Sequence, residues 1–421
     1  MKKKNVMKYT HCLFQIFVFG LLLCMMPSPV QAKSKFLRVE GQNIVRPDGT
    51  KLLIKGTNLG NWMNPEGYMF GFGRTNSAHF IDEALCELVG PAQMKLFWKE
   101  FKDNYITQED IHFIAQQGAN TIRLPFHYKL FTDEDYMGLS DNTREGFTRV
   151  DKLVEWCRAE GLYLILDMHD CPGGQTGDNI DDSYGYPWLL TEESCQEQFL
   201  EVWKRIAKHY KNEPVILGYE LMNEALATHF DSEYDYLAPL LDKLYKRGVL
   251  AIREVDKNHI VLIGGAAWNS RFGEITEWEY DDNLMFTCHR YGGNPTPKAI
   301  QHYIDTRDKT NRPMYMGEIG HNTNEWQAQF CETMESNNIG YTFWPYKKID
   351  GSCMVGYRRP DGWQQLKDFV DGDRSGYKEI REARTKVGQQ EARRMLRELL
   401  QNVLFTNCEI QEDYIKSMKL K

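Results

Sequence analysis

The sequence lacks the short motifs that mark metal centres and dinucleotide sites. It contains no H-E-x-x-H, no paired C-x-x-C and no G-x-G-x-x-G after the first predicted strand. The first two motifs are typical of zinc sites and the third of dinucleotide-binding folds. We therefore expect no metal and no cofactor, and any catalysis must come from ordinary side chains.

Positive charge is in deficit, with 51 Lys and Arg against 59 Asp and Glu, and a net charge of -8 over 421 residues. An acidic balance with dispersed basic residues argues against a nucleic-acid partner. No low-complexity tract, linker or solenoid-type repeat interrupts the chain. With 42% apolar residues, the composition favours one large core, which an α/β barrel of this length provides. We expect a monomer.

Cysteine pairing is not required for a chain of this size. Ten cysteines are present, and eight remain beyond the N-terminal segment: Cys86, Cys157, Cys171, Cys195, Cys288, Cys331, Cys353 and Cys408. An exported protein can pair some of them. Because Cys157 and Cys288 lie in helix-like and strand-like runs, a mostly free and buried set is the preferred interpretation.

The N-terminus resembles an export signal. Lys2, Lys3 and Lys4 precede an apolar stretch at residues 12–26, and Val30-Gln31-Ala32 fits a cleavage site. We predict a signal peptide at residues 1–32 and a secreted or periplasmic protein. A transmembrane anchor is disfavoured because the apolar stretch is short, and lipidation at Cys24 because the residue before it is a large leucine.

Eight strand-like runs alternate with helical stretches. The runs span residues 52–58, 120–126, 162–169, 215–224, 259–265, 284–291, 314–320 and 340–346, and the helical stretches include 149–160, 195–210 and 236–256. This alternation predicts a single α/β domain at 33–421, a (β/α)8 TIM barrel. Residues 36–51 predict a small N-terminal β-hairpin turning at Pro47-Asp48-Gly49, and residues 377–404 one long helix packed on the barrel.

Polar and aromatic residues stand at the ends of six predicted strands. They are Arg123, Asp167 with His169, Asn223 with Glu224, His289 with Tyr291, Glu318, and Trp344. Each one alone has a structural explanation, such as an ion pair, a satisfied core histidine or a barrel-filling ring. Because barrel chemistry sits at the C-terminal strand ends, their coincidence on one face predicts an active site.

Two glutamates on one rim suit glycoside hydrolysis. One must be protonated to act as an acid and the other ionised to attack, which requires different surroundings. Asn223 is placed to hold the sugar 2-hydroxyl, Arg123 and Tyr291 to keep Glu318 ionised, and Trp344 to face a sugar ring. The acidic run at residues 178–182 suggests a solvated or substrate-facing loop in preference to a calcium site.

The residues Arg123, His169, Asn223-Glu224, His289-x-Tyr291, Glu318 and Trp344, in this order, resemble glycoside hydrolase family 5, the cellulase family of retaining (β/α)8 glycosidases. The resemblance covers residues 52 to 346. It implies that Glu224 is the acid/base, that Glu318 is the nucleophile, and that the other six residues surround a β-linked sugar. The implied partner is a β-linked oligo- or polysaccharide.

A finer resemblance concerns the exo-β-1,3-glucanase branch. Residues 58–62 read N-L-G-N-W, Glu66 follows, and residues 173–177 read G-G-Q-T-G. In that branch the matching glutamate binds a terminal glucose, which implies this role for Glu66. The sequence departs from the branch at residues 319–322 and 178–188. An endo-β-1,4-glucanase or mannanase, a glucolipid glycosidase and, in another class, a non-catalytic carbohydrate-binding protein remain open.

Overall fold

Eight parallel strands form a closed barrel in the computed structural model, which describes residues 35–137 and 144–421. The barrel strands are β4 (Lys55–Asn58), β5 (Thr121–His127), β6 (Tyr163–Asp170), β7 (Ile216–Glu220), β8 (Ile260–Gly264), β9 (Leu284–His289), β10 (Met314–Ile319) and β11 (Gly340–Phe343). Neighbours in sequence are neighbours in space, and β11 pairs with β4 to close the ring. The predicted (β/α)8 TIM barrel is confirmed. The predicted signal peptide lies outside the described residues.

The N-terminal sheet closes the bottom of the barrel. It consists of β1 (Arg38–Glu40), β2 (Asn43–Val45) and β3 (Lys51–Leu52), all antiparallel. The predicted hairpin is therefore present with one strand more than expected. Ile44 and Leu52 of this sheet join a buried cluster with inward-facing barrel residues such as Ile165 and Leu262. This apolar plug separates the barrel interior from solvent at the end opposite the predicted site.

Helices surround the barrel, and most of them bury an apolar face. They are α1 (Ala78–Val89), α2 (Pro91–Tyr105), α3 (Gln108–Gln116), α4 (Glu145–Glu160), α5 (Glu193–Tyr210), α6 (Tyr234–Arg253), α7 (Gln301–Thr310), α8 (Asn324–Ser336), α9 (Trp363–Val370), α10 (Tyr377–Val387), α11 (Gln389–Asn402) and α12 (Glu412–Ser417). A small sheet of β12 (Lys347–Ile349), β13 (Val355–Tyr357) and β14 (Glu409–Ile410) follows the last barrel strand. No helix in the described ranges is long and apolar enough to span a bilayer.

Several predicted boundaries are wrong. The sixth and eighth strands, expected at 284–291 and 340–346, end at His289 and Phe343, so Tyr291 and Trp344 lie just beyond them. The single helix expected at 377–404 is two helices, α10 and α11, because Gly388 between them adopts a left-handed φ of 80°. The fourth barrel strand ends at Glu220 rather than Glu224. The apolar sequence pattern continues past Glu220 because Leu221 and Met222 are also fully buried. The regular hydrogen bonding of the strand nevertheless ends at Glu220.

Candidate active site

A cavity of about 300 Å³ opens at the C-terminal ends of the barrel strands. Its walls are formed by Glu66, Tyr68, His169, Ile180, Glu224, Tyr291, Glu318, His321 and Trp344. Six of the nine predicted site residues line this cavity directly. The other three, Arg123, Asn223 and His289, lie behind the wall and hydrogen-bond to the lining residues or to one another.

Glu224 and Glu318 face each other across the cavity. One carboxylate oxygen of each, together with a ring nitrogen of His289, lies within 4.8 Å of the others. Retaining glycosidases hold their carboxyl groups about 5–5.5 Å apart, and inverting enzymes about 6.5–9.5 Å apart. This separation is closer to that of a retaining pair than to that of an inverting pair. The same three side chains are the single group of described residues whose geometry could hold a metal ion.

The two glutamates differ in their surroundings. Burial raises the pKa of Glu224 to about 8, so this carboxyl group is protonated at neutral pH. Its nearest partner is His289, whose Nδ1 lies 2.8 Å from Oε1 and whose own pKa burial lowers to about 4. Glu318 instead accepts hydrogen bonds from Arg123 at 2.7 Å and from the Tyr291 hydroxyl at 2.5 Å. Glu318 therefore contacts a cation and a hydroxyl group, whereas Glu224 contacts an imidazole.

Arg123 is completely buried and contacts more of the site residues than any other described side chain. Its guanidinium donates a bidentate pair of hydrogen bonds to Glu220, at 2.8 and 2.9 Å, and single bonds to Asn58 and Asn223. Asp167 lies 3.0 Å away. The guanidinium thus neutralises several carboxylates and fixes the positions of Asn223, just after β7, and Glu318 on β10, two strands that are not neighbours in the barrel.

Replacing Arg123 with methionine should lower the free energy of unfolding by about 3–5 kcal/mol, because it leaves the buried carboxylates of Glu220 and Asp167 without a cation. Urea denaturation at neutral pH measures the effect. Arg158→Met is the matched control, since Arg158 pairs with Glu213 at the surface and should cost about 1 kcal/mol or less. Equal losses in the two variants would show that Arg123 does not stabilise the core of the site.

The turn that carries Glu224 has a left-handed backbone, with φ of 42° at Glu224 and 53° at Leu226. Such angles cost a non-glycine residue about 1–2 kcal/mol. Residues 173–177 hold the turn in place. The Thr176 hydroxyl donates to the Glu224 carbonyl at 2.8 Å, and the Gln175 amide donates to the Asn223 carbonyl at 2.8 Å. The G-G-Q-T-G segment therefore positions the acid from outside the cavity.

A second wall is built from Glu66, His169, Trp344 and Tyr68. The rings of His169 and Trp344 stack at 5.1 Å with 5° between their planes, and the Trp344 indole donates to the Tyr68 hydroxyl. Glu66 is 4% exposed, and its Oε1 has no hydrogen-bond partner among the described residues. Burial, and next the charges of Glu318 and Glu224, raise the pKa of Glu66 well above its ordinary value. This carboxyl group is available to bind a ligand hydroxyl.

The acidic run at residues 178–182 is not a solvated loop. Asp181 accepts hydrogen bonds from the Thr176 and Gly177 amides, and Asp182 contacts His79 and His127, so both carboxylates are buried. Ile180, directly before these two aspartates, lines the cavity. The buried carboxylates anchor the loop, and the apolar side chain of Ile180 reaches the cavity. This arrangement is consistent with the substrate-facing alternative.

Four residues that sequence reasoning missed complete the site: Asn58, Glu220, Tyr68 and His321. Asn58 and Glu220 end the first and fourth barrel strands. The rule that site residues lie at the C-terminal strand ends could therefore have identified both. Tyr68 and His321 lie in loops without periodicity, and no pattern places them. The site also requires a glycine at position 317, because a Cβ there would lie 2.9 Å from the His289 Nε2. The eight cysteines of the described chain are free, as predicted.

Comparison with known proteins agrees with this geometry. The family model for cellulase (glycosyl hydrolase family 5) matches residues 82–349. The chain is 30% identical over 372 residues to a beta-xylosidase of Phanerodontia chrysosporium, covering 80% of this chain and 76% of the relative. It is 27% identical over 352 residues to a glucan 1,3-beta-glucosidase of Lachancea kluyveri, covering 78% and 77%.

The fold is also found among solved structures. The rutinosidase from Aspergillus niger superposes with a TM-score of 0.56 at 20% identity, covering 76% of this chain and 97% of that one. At this identity the likeness concerns the barrel architecture alone. The barrel therefore agrees with a known architecture.

Proposed function

Because the chain belongs to the cellulase family, glycosyl hydrolase family 5, we propose that its cavity removes single glucose units from the non-reducing ends of β-1,3-linked glucans. The protein is a retaining β-glycoside hydrolase. The finer proposal depends on one observation, the buried Glu66 carboxyl group in a small cavity that Ile180 helps to enclose.

The proposed roles follow from the charge states. Glu224, protonated at neutral pH, donates its proton to the departing glycosidic oxygen while Glu318 attacks the anomeric carbon. A covalent glycosyl-enzyme forms with Glu318. Glu224, now ionised, takes a proton from water, which attacks the same carbon and releases the sugar with its original β configuration. Asn223 is proposed to hold the 2-hydroxyl, a contact that strengthens in the transition state.

The small size of the cavity supports the proposal of exo action. A volume of about 300 Å³ is small for a binding site, and an endo-acting enzyme needs a cleft that continues in both directions past the carboxylates. Glu66, with its unpartnered oxygen, is placed to accept or donate a hydrogen bond to the hydroxyls of a terminal sugar. His169 and Trp344 flank it and set the width of the site.

Digestion of a polysaccharide panel with sizing of the products tests the substrate. Laminarin, cellulose derivatives, mannan and xylan should be compared, and laminarin should yield glucose from the first time point with no intermediate oligosaccharides. Oligosaccharides released early from a β-1,4-glucan or mannan would instead establish the endo alternative. Hydrolysis of a glucolipid and of none of these polysaccharides would establish the glucolipid glycosidase alternative. Binding without hydrolysis of any of them would favour the non-catalytic alternative.

Glu66→Ala tests the exo site within the same assay. Loss of a hydrogen bond to a buried carboxyl group should lower kcat/KM on laminari-oligosaccharides about 10- to 100-fold. The exposed Glu155 on α4 offers a matched control, Glu155→Ala, which should leave kcat/KM unchanged. A wild-type kcat/KM in Glu66→Ala would remove this residue from the proposal.

We also propose that residues 1–32 direct export and that residues 33–421 are the mature catalytic domain. The basic start, the apolar stretch and the small-residue site support this proposal. Intact-mass measurement of protein recovered from its source is the test. A mass that includes residues 1–32, or a lipid on Cys24, would contradict it.

A further inference from the structure

His321 occupies the mouth of the cavity and has no role in the mechanism above. Its Nε2 lies 3.4 Å from the Tyr68 hydroxyl, and its ring lies 5.6 Å from the Tyr68 ring and 5.7 Å from the Tyr291 ring. The backbone has a left-handed φ of 49°, which turns the chain directly after β10 so that this side chain reaches the cavity that Glu318 also lines. Nδ1 makes no hydrogen bond within the described chain, so one polar atom of the ring is available.

The nucleophile has two different sides. Oε1 of Glu318 accepts from Arg123, which also donates to Asn223, whereas Oε2 accepts from the Tyr291 hydroxyl. Asn223 therefore lies on the Oε1 side and Tyr291 on the Oε2 side. The anomeric carbon of a bound sugar must sit above this carboxylate for attack.

The two sides determine how the sugar ring is oriented. The anomeric carbon has two neighbours in the ring, C2 and the ring oxygen, which point in opposite directions. If Asn223 holds the 2-hydroxyl, as the proposed function states, the ring oxygen lies on the Tyr291 side. C5 follows the ring oxygen, and its substituent extends beyond Tyr291 toward the next side chains, which are His321 and Tyr68.

We propose that His321 is a specificity-determining residue that hydrogen-bonds the C6 hydroxyl of the sugar in the cleaved position. A hexopyranoside such as a glucoside carries this hydroxymethyl group, and a pentopyranoside such as a xyloside lacks it. A neutral imidazole can both donate and accept a hydrogen bond, so this ring suits a hydroxyl group. His321 thereby makes the enzyme select glucosides over xylosides, an inference that rests on the proposed function.

The test is the ratio of kcat/KM for 4-nitrophenyl β-glucopyranoside to that for 4-nitrophenyl β-xylopyranoside. His321→Ala should lower kcat/KM about tenfold for the glucoside, the loss of one neutral hydrogen bond, and change the xyloside value by about twofold or less. His321→Gln, which keeps a donor and an acceptor, should recover part of the ratio. His112→Ala, on the outer surface of α3, is the matched control and should leave both values unchanged.

Two outcomes would overturn the inference. Equal losses of kcat/KM on both substrates in His321→Ala would mean that His321 only holds Tyr68 and Tyr291 in position. An unchanged kcat/KM on both would mean that His321 does not contact the sugar. If the wild type hydrolyses neither substrate, the proposed function fails. The inference is then decided by saturation-transfer NMR of glucose against xylose, where a preference for glucose that His321→Ala removes supports it and an unchanged or absent preference contradicts it.

Discussion

Glu318→Ala should reduce turnover of β-glucosides by about 10⁴-fold or more while the barrel remains folded. The loss is large because covalent catalysis disappears with its nucleophile. Initial rates on an aryl β-glucoside measure the effect. Thermal unfolding of the variant within a few degrees of the wild type separates lost chemistry from lost folding.

The stereochemistry of the first product provides the sharper readout for Glu318. The wild-type enzyme should release a β-configured sugar, visible by proton NMR before mutarotation, because two displacements restore the original configuration. Azide added to Glu318→Ala should yield the α-glycosyl azide, since the face that Glu318 occupied is then open. An α-configured first product from the wild type would mean inversion, and the assignment of Glu318 as nucleophile would fail.

Glu224→Ala should lower turnover of substrates with poor leaving groups by about 10²–10⁴-fold, the usual contribution of a general acid. Substrates with a dinitrophenyl leaving group, which needs no proton, should form the glycosyl-enzyme at close to the normal rate. Azide should then rescue Glu224→Ala to a β-glycosyl azide. Equal losses on good and poor leaving groups would contradict the role of Glu224 as acid.

The pH dependence of kcat/KM tests the same residue in the wild type. Since burial raises the pKa of Glu224 to about 8, the protonated acid is lost as the pH rises through that value, and kcat/KM should fall about tenfold per pH unit above it. The dinitrophenyl substrate needs no proton from the acid, so with it the wild type should lack this alkaline limb, as should Glu224→Gln. A limb at the same pH in Glu224→Gln would assign it to another group.

The raised pKa of Glu224 makes the stability of the folded protein decrease as the pH rises. The folded state holds the Glu224 proton more tightly than the unfolded chain, whose carboxyl has its ordinary pKa of 4.5. The contribution of this proton to stability is present in full below about pH 4.5 and is lost as the pH rises through about 8. Glu224→Gln, which carries no charge, should therefore gain Tm relative to the wild type between pH 5 and pH 8.

The sequence by itself determined the architecture of this protein. Alternating apolar strands and amphipathic helices have distinct periods, so the eight strands and their order could be predicted, and the barrel rule then placed Arg123, Glu224 and Glu318 on one rim. Strand ends were less predictable. Burial continues past Glu220 into Leu221 and Met222, so apolar pattern alone cannot show where the hydrogen-bonded ladder stops.

Only the tertiary structure decided how the site is assembled. The five partners of Arg123 come from four different strands or the residues just after them, and the anchoring of Glu224 by Thr176 joins loops that are far apart in sequence. The pKa of Glu224, the enclosure by Ile180 and the position of His321 likewise depend on which groups surround them in space. Local patterns record the period and burial of a segment, whereas charge state and cavity shape arise from contacts between segments, which no local pattern contains.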